Sequence, residues 1–171
     1  MIPDLTVLLS LAQLSLAMGR IHRATLHPDG DRPESDAEHT LMLVLVACQV
    51  AHQYGGFQVG RVAELAAVHD LAERYSGDAD TFGATDAQLA DKARTDAQAT
   101  AQLLADFRDC DWLCAAVREY EAQRTAESRL VRYLDKCLPG LTNALNGGAA
   151  IRRRGVKPTD QEAHDKAQGD R

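Results

Sequence analysis

Two histidines and two aspartates stand where apolar helical stripes should continue. Within residues 58–75, Val62, Leu65 and Ala66 define a stripe that, at about 100° per residue, runs on to His69 and Glu73, with Asp70 beside it. Further on, Val131, Leu134 and Leu138 form a second stripe, and Asp135 falls inside it. His39 occupies the first turn of the most apolar run in the chain, Leu41–Val50. Each residue alone has an ordinary reading, as a hydrogen-bonded core histidine or as an aspartate paired with an arginine. Unpaired, a buried carboxylate costs on the order of several kcal/mol, so all four need partners. Together, nitrogen and oxygen donors on three helices fit a divalent-metal site that keeps positions open for water and substrate.

The elements that would carry these residues read as helices. Leu5 to Leu16 repeats apolar residues at helical spacing, and the segment ends near Gly19. Residues 20–34 hold two prolines, Gly30 and several charges, which predicts a long loop of functional length. Ser35-Asp36-Ala37-Glu38 is a capping box, and the run after it is apolar on all sides, predicting a central buried helix. A third helix is expected from Gln58 to Tyr75, stopped by Gly77. A fourth runs from Thr85 to Phe107, a fifth from Asp111 to Arg124 and a sixth from Glu127 to Asn146. Pro139 lacks the N–H that would bond the Asp135 carbonyl, which predicts a kink that helps aim Asp135. Thr159-Asp160-Gln161-Glu162 could start one more short helix. No segment alternates convincingly as a strand. The expected fold is all-α, a bundle of about six to seven helices in residues 1–150, followed by a polar tail or short helix in 151–171.

Composition narrows the function. The chain has 171 residues, 45% hydrophobic and 26% charged, which suits one ordered domain. Its formal net charge of −6 argues against a broad surface for duplex nucleic acid. The last twenty residues lean basic, so the body is more acidic than the whole. Cys48, Cys110, Cys114 and Cys137 form no Cys-x-x-Cys pair, and no basic leader or membrane-spanning run accompanies them. A reduced, cytoplasmic protein without a membrane partner is therefore expected.

Longer strings carry a resemblance. Glu38-His39, His69-Asp70 and Asp135 give the order His … His-Asp … Asp of the HD-domain metal-dependent phosphohydrolases. Arg32-Pro33-Glu34-Ser35-Asp36-Ala37-Glu38-His39, the run Val68 to Asp78, and Leu134-Asp135-Lys136 resemble segments of the small subgroup related to bacterial 5′-deoxynucleotidase. Small phage enzymes that hydrolyse dATP are similar in length and motifs. The resemblance spans about Arg20 to Gly148 and implies a compact HD-domain bundle.

What the resemblance implies can be carried over by position. His39, His69, Asp70 and Asp135 would hold one divalent metal of the cobalt, manganese or zinc type. Glu73 would orient or deprotonate the attacking water, and Asp78 would assist proton transfer or position the sugar. Arg23 would grip the phosphate, with Arg20 or Arg32 as substitutes. The next residue, Ala24, replaces a tryptophan common in the subgroup that packs near the base. The implied activity is removal of the 5′-phosphate from deoxyribonucleoside monophosphates by metal-activated water. The alternatives are a deoxynucleoside triphosphate triphosphohydrolase of the dATP type and a non-enzymatic metal-stabilised binding module. A homodimer or higher homo-oligomer is expected, as is common in the subgroup. His22, His27 and His52 read as surface residues, although His22 or His27 could face the substrate. Trp112 reads as a core or interface anchor, and Cys137 as packing.

Overall fold

A computed structural model describes residues 5–29, 32–153 and 155. In chain order its elements are α1 (Leu5–Met18), β1 (His22–Leu26), β2 (Pro33–Ser35), α2 (Asp36–Tyr54), α3 (Val59–Val68), α4 (Glu73–Ser76), α5 (Asp86–Asp106), α6 (Asp111–Ala122), α7 (Ala126–Leu145) and α8 (Ala149–Arg153). The expected all-α bundle is present, and local chemistry sets its helix starts. Ser35 and Glu38 close a reciprocal capping box at α2, Thr85 and Gln88 do the same at α5, and the Thr125 hydroxyl accepts from the Ser128 N–H at α7.

The core gathers around α2 and α3. These pack on each other; α2 also meets α7, and α3 meets α6 and α7. Leu43, Leu65, Leu103, Leu113 and Leu138 are fully buried there. α2 is less enclosed than its sequence suggested: Leu41 and Leu45 are 61% and 63% exposed, on the side away from Leu43 and Ala47. Leu5, Leu8, Leu9 and Leu16 of α1 are also exposed, as is Trp112 at the start of α6. No described helix is long and apolar enough to cross a membrane.

Two local departures matter for the site. The long loop expected from Arg20 to Glu34 instead contains an antiparallel hairpin, β1 with β2, in which His22 faces Ser35 and Leu26 faces Pro33 with an irregular register between. The Thr25 hydroxyl donates to buried Glu34 at 2.6 Å, and the His27 N–H bonds the Arg32 carbonyl at 2.9 Å. These strands escape a sequence reading because β1 buries its last two residues together rather than alternately, and Thr25 is its only β-branched residue.

The second departure is at the end of the third expected helix. α3 stops at Val68, and the chain continues through tighter bonds from Leu71 N–H to Val68, Glu73 to Asp70, Arg74 to Leu71 and Tyr75 to Ala72. This i to i−3 pattern eclipses side chains three apart, so Asp70 and Glu73 fall on one face. Gly77, at φ 73°, then ends α4 in a conformation that suits a residue without Cβ. α7 stays helical on both sides of Pro139, as far as Leu145. The helix start expected at Thr159 lies outside the described residues.

Candidate metal centre and cleft

The first turn of α2, the turn after α3 and the middle of α7 converge on one point. They bring His39, His69, Asp70 and Asp135 together, with one donor atom from each within 4.8 Å of all the others. His39 Nε2 lies 2.9 Å from Asp135 Oδ1, and His69 Nε2 lies 2.8 Å from Asp70 Oδ2 and 3.7 Å from Asp135 Oδ1. His39 is fully buried and His69 nearly so.

This donor set fits a divalent cation. His69 Nδ1 faces the Ala66 carbonyl at 2.9 Å, so it is the nitrogen that carries the proton, and Nε2 is left with its lone pair. Although Nε2 is close to Asp70, no properly directed hydrogen bond joins them, and Nε2 is a buried atom without a hydrogen-bond partner. A bare imidazole nitrogen facing carboxylate oxygens is a convergence of lone pairs, which a cation satisfies. Without a cation, the same carboxylates draw positive charge onto His69 itself, so a bound cation would take the place of that proton. Burial opposes a charge on His69, but Asp70 and then Asp135 outweigh it and raise its pKa. Asp70 is held well below the usual carboxylate range: burial works against this, and His69 and Arg23 overcome it.

A second carboxylate group adjoins the first. Asp36, Asp70 and Glu73 each place an oxygen within 4.8 Å of the other two. The Glu73 carboxyl is pushed up to about 10 by burial, then by Asp70, Asp36 and Asp78, and its Oε2 is buried without a partner. Asp78 is raised by burial, with Arg23 pulling the other way. Arg23, from β1, sits among these acids. Its Nη1 donates to Asp70 Oδ2 at 2.9 Å and to Asp36 Oδ1 at 3.2 Å. Burial alone would weaken its charge; Asp70, Asp78 and Asp135 keep it firmly protonated.

Both groups open into one cleft of about 780 Å³, whose walls include Arg23, His69, Asp70, Glu73, Asp78 and Asp135. Lys92 of α5 and Arg132, Tyr133 and Lys136 of α7 also line it. Arg132 also stacks over the Tyr120 ring, 5.5 Å from its centre, and that ring meets His69 edge-on.

Of the residues expected from sequence, the structure joins His39, His69, Asp70, Asp135, Glu73, Asp78 and Arg23. It does not bring Arg20 or Arg32 to the cleft wall. Arg20 is exposed after α1, and Arg32 is paired with Glu38 at 2.5 Å on the outside of the hairpin. Nor do His22 and His27 line the cleft: His22 is exposed and His27 pairs with Asp29 at 3.0 Å. Cys137 is exposed and lines the cleft rather than packing inside.

Sequence reasoning missed Asp36, which reads as an ordinary acid in a helix first turn. The available signal was its spacing of three from His39, which places both on one face of α2.

Residues 18–169 match the model of the HD domain. The chain belongs to the HD domain family. His39, the His69-Asp70 pair and Asp135, the four residues that the structure clusters and that could hold a metal ion, all lie within the matched span. Among solved structures the chain is similar to a predicted metal-dependent phosphohydrolase from Magnetospirillum magnetotacticum MS-1, with 27% identity over 99% of this chain and 95% of that one, at a TM-score of 0.73. Two archaeal proteins share the fold. A conserved hypothetical protein from Pyrococcus furiosus has 23% identity and a TM-score of 0.55, covering 75% of this chain and 77% of its own. PH0347 from Pyrococcus horikoshii OT3 has 22% identity and a TM-score of 0.56, covering 94% and 98%. Among curated proteins none matches the chain.

Proposed function

We propose that this HD domain protein is a metal-dependent phosphohydrolase that removes the 5′-phosphate of deoxyribonucleoside monophosphates. One observation carries the reading: the four-residue donor cluster opens into the same cleft as Arg23, Glu73 and Asp78. The likeness to the Magnetospirillum protein, itself described as a predicted metal-dependent phosphohydrolase, supports the reaction class.

His39, His69, Asp70 and Asp135 would hold a divalent cation, whose charge would lower the pKa of a water, favour the anionic form of nearby carboxyls and neutralise phosphoryl oxygens. The chain's own groups do the rest. The Arg23 guanidinium offers a planar donor edge for the phosphate. Glu73, beside Asp70, takes the proton of the attacking water on a carboxylate oxygen. As water bonds to phosphorus the ester P–O bond breaks, and the sugar oxygen leaves with a proton that Glu73 or Asp78 returns. Water plus monophosphate thus gives nucleoside plus phosphate.

A second reading has its own support. Lys92, Arg132 and Lys136 line the cleft together with Arg23, and Ala24 beside Arg23 is small, so the cleft suits a longer phosphate chain. Under that reading the substrate is a deoxynucleoside triphosphate and the product tripolyphosphate. The exposed leucines of α1 and α2 support a homodimer. Incubating manganese-loaded protein with each dNMP and dNTP, then identifying the released ion, separates the readings. Orthophosphate from dNMP supports the first and tripolyphosphate from dNTP the second. No turnover with manganese, cobalt or zinc rejects both.

A further inference from the structure

Asp36 has no part in the reaction just described, yet it is 0% exposed. A charged group in such a place needs a partner that repays its lost hydration. Helix capping is not that reason, because Ser35 and Glu38 already close the box at this end of α2. Alongside the Glu73 carboxyl, the cation that meets Asp36 is Arg23. Its Nη1 is shared between Asp36 Oδ1 and Asp70 Oδ2, one acid from α2 and one from the turn after α3.

Both hydrogen bonds that Arg23 makes to described residues use this single nitrogen, and 13% of its side chain reaches the cleft. Nη2 and Nε are left to a ligand. The backbone fixes the arrangement from the other side. His22 faces Ser35 across the hairpin, and the Asp36 N–H donates to the Ile21 carbonyl at 3.1 Å, so β1 and the start of α2 are held side by side. Without Asp36, Asp70 is the hydrogen-bonded anion that remains to Arg23, and a guanidinium drawn fully onto it would turn its free edge out of the cleft.

We propose that Asp36 is a positioning residue, which anchors Arg23 by Nη1 so that the opposite edge of the guanidinium faces the cleft and receives a phosphate group. The proposal rests on the reading that Arg23 grips phosphate, but it does not require that the phosphate ester be hydrolysed.

The test is calorimetric titration of inorganic phosphate into manganese-loaded wild type, Asp36→Ala and Asp36→Asn, each also combined with Arg23→Lys. Losing a charged hydrogen bond of this kind should weaken phosphate binding about tenfold in Asp36→Ala. Asp36→Asn, which keeps the acceptor oxygen, should recover about half of that loss on a logarithmic scale. Manganese stoichiometry should not change. With Arg23→Lys in place, removing Asp36 should cost nothing more, because the two act through one contact. If Asp36→Ala does not fold, Asp36→Asn decides alone: weakened phosphate binding supports the proposal, and wild-type binding overturns it. A lower melting temperature with unchanged phosphate affinity would show a purely structural role and overturn it. So would an equal loss in the Arg23→Lys background, or wild type that binds no phosphate. Phosphate binding without turnover of any nucleotide would reject the proposed reaction while leaving the role of Asp36 standing.

Discussion

The hairpin and the first turn of α2 make two ion pairs only a few residues apart, and the pairs differ in nearly every respect that matters. Arg23 meets Asp36 and Asp70 inside the cleft, where its side chain is 13% exposed. Arg32 meets Glu38 outside, where its side chain is 49% exposed. Both use an arginine of the hairpin region and an acid of the same helical turn. Outside, water screens the charges and the pair mainly steadies the capping box, since Glu38 also bonds Ser35. Inside, one nitrogen is divided between two carboxylates, and the group that results can act on a ligand. Both places pair an arginine with carboxylate; enclosure separated them.

The comparison can be broken most violently at Asp70, which belongs to both the inner pair and the donor cluster. Asp70→Ala should abolish stoichiometric manganese binding and reduce phosphohydrolase turnover by about a thousandfold or more, measured by metal analysis and product release. Asp135→Ala should lose the metal equally while leaving the bonds of Arg23 in place; retention of full manganese occupancy would refute that ligand assignment.

A smaller effect is expected at Arg23. Arg23→Ala leaves buried Asp36 and part-buried Asp70 without their shared cation, at a cost of about 3–5 kcal/mol in the metal-free protein by chemical denaturation. Metal should recover part of this by neutralising Asp70.

Glu73 gives a pH signature. In the metal-free fold its carboxyl is raised to about 10, above its unfolded value, so the folded state holds a proton that the unfolded state releases. Its stabilising contribution is therefore complete below the unfolded pKa and declines as pH rises from there toward the folded one. Glu73→Gln should remove the decline. The melting temperature of the metal-free variant should gain on wild type steadily between pH 6 and pH 9, and parallel curves would sink the idea.

The least effect belongs to the outer pair. Arg32→Ala should leave turnover and phosphate affinity at wild-type values and barely move the melting temperature at neutral pH. Glu38 is held below its usual range by Arg32, so whatever the pair contributes exists above the unfolded pKa of a glutamate and fades as pH falls through the folded one. The small difference between Arg32→Ala and wild type should shrink on acidification.

Much of this molecule was legible before any coordinates. The helices with caps and regular stripes, such as that of Ser35 and Glu38, fall where their sequences place them, because capping and periodicity are local properties. The four cluster residues stood out for the same reason: each lies in, beside or at the start of an apolar helical run. What escaped was set by contacts distant in sequence. The hairpin forms from a segment of weak strand propensity because its ends are held against α2. The change from α to tighter turns at His69 has no mark in composition, yet it brings Glu73 round to Asp70 and Asp36. Arg20 and Arg32 were as plausible as Arg23 on charge alone; only the fold shows that Arg23 points inward.

The donor cluster has a meaning for folding as well as for chemistry. His39 and Asp135 touch at 2.9 Å across a sequence separation of 96 residues, with His69 and Asp70 about a third of the way between them. No fragment ending before α7 can assemble all four donors, so the site comes into being only with long-range closure of the chain. A cation bound there acts as a reversible cross-link between the front, middle and back of the sequence, and its binding energy is added to the stability of the whole domain by mass action.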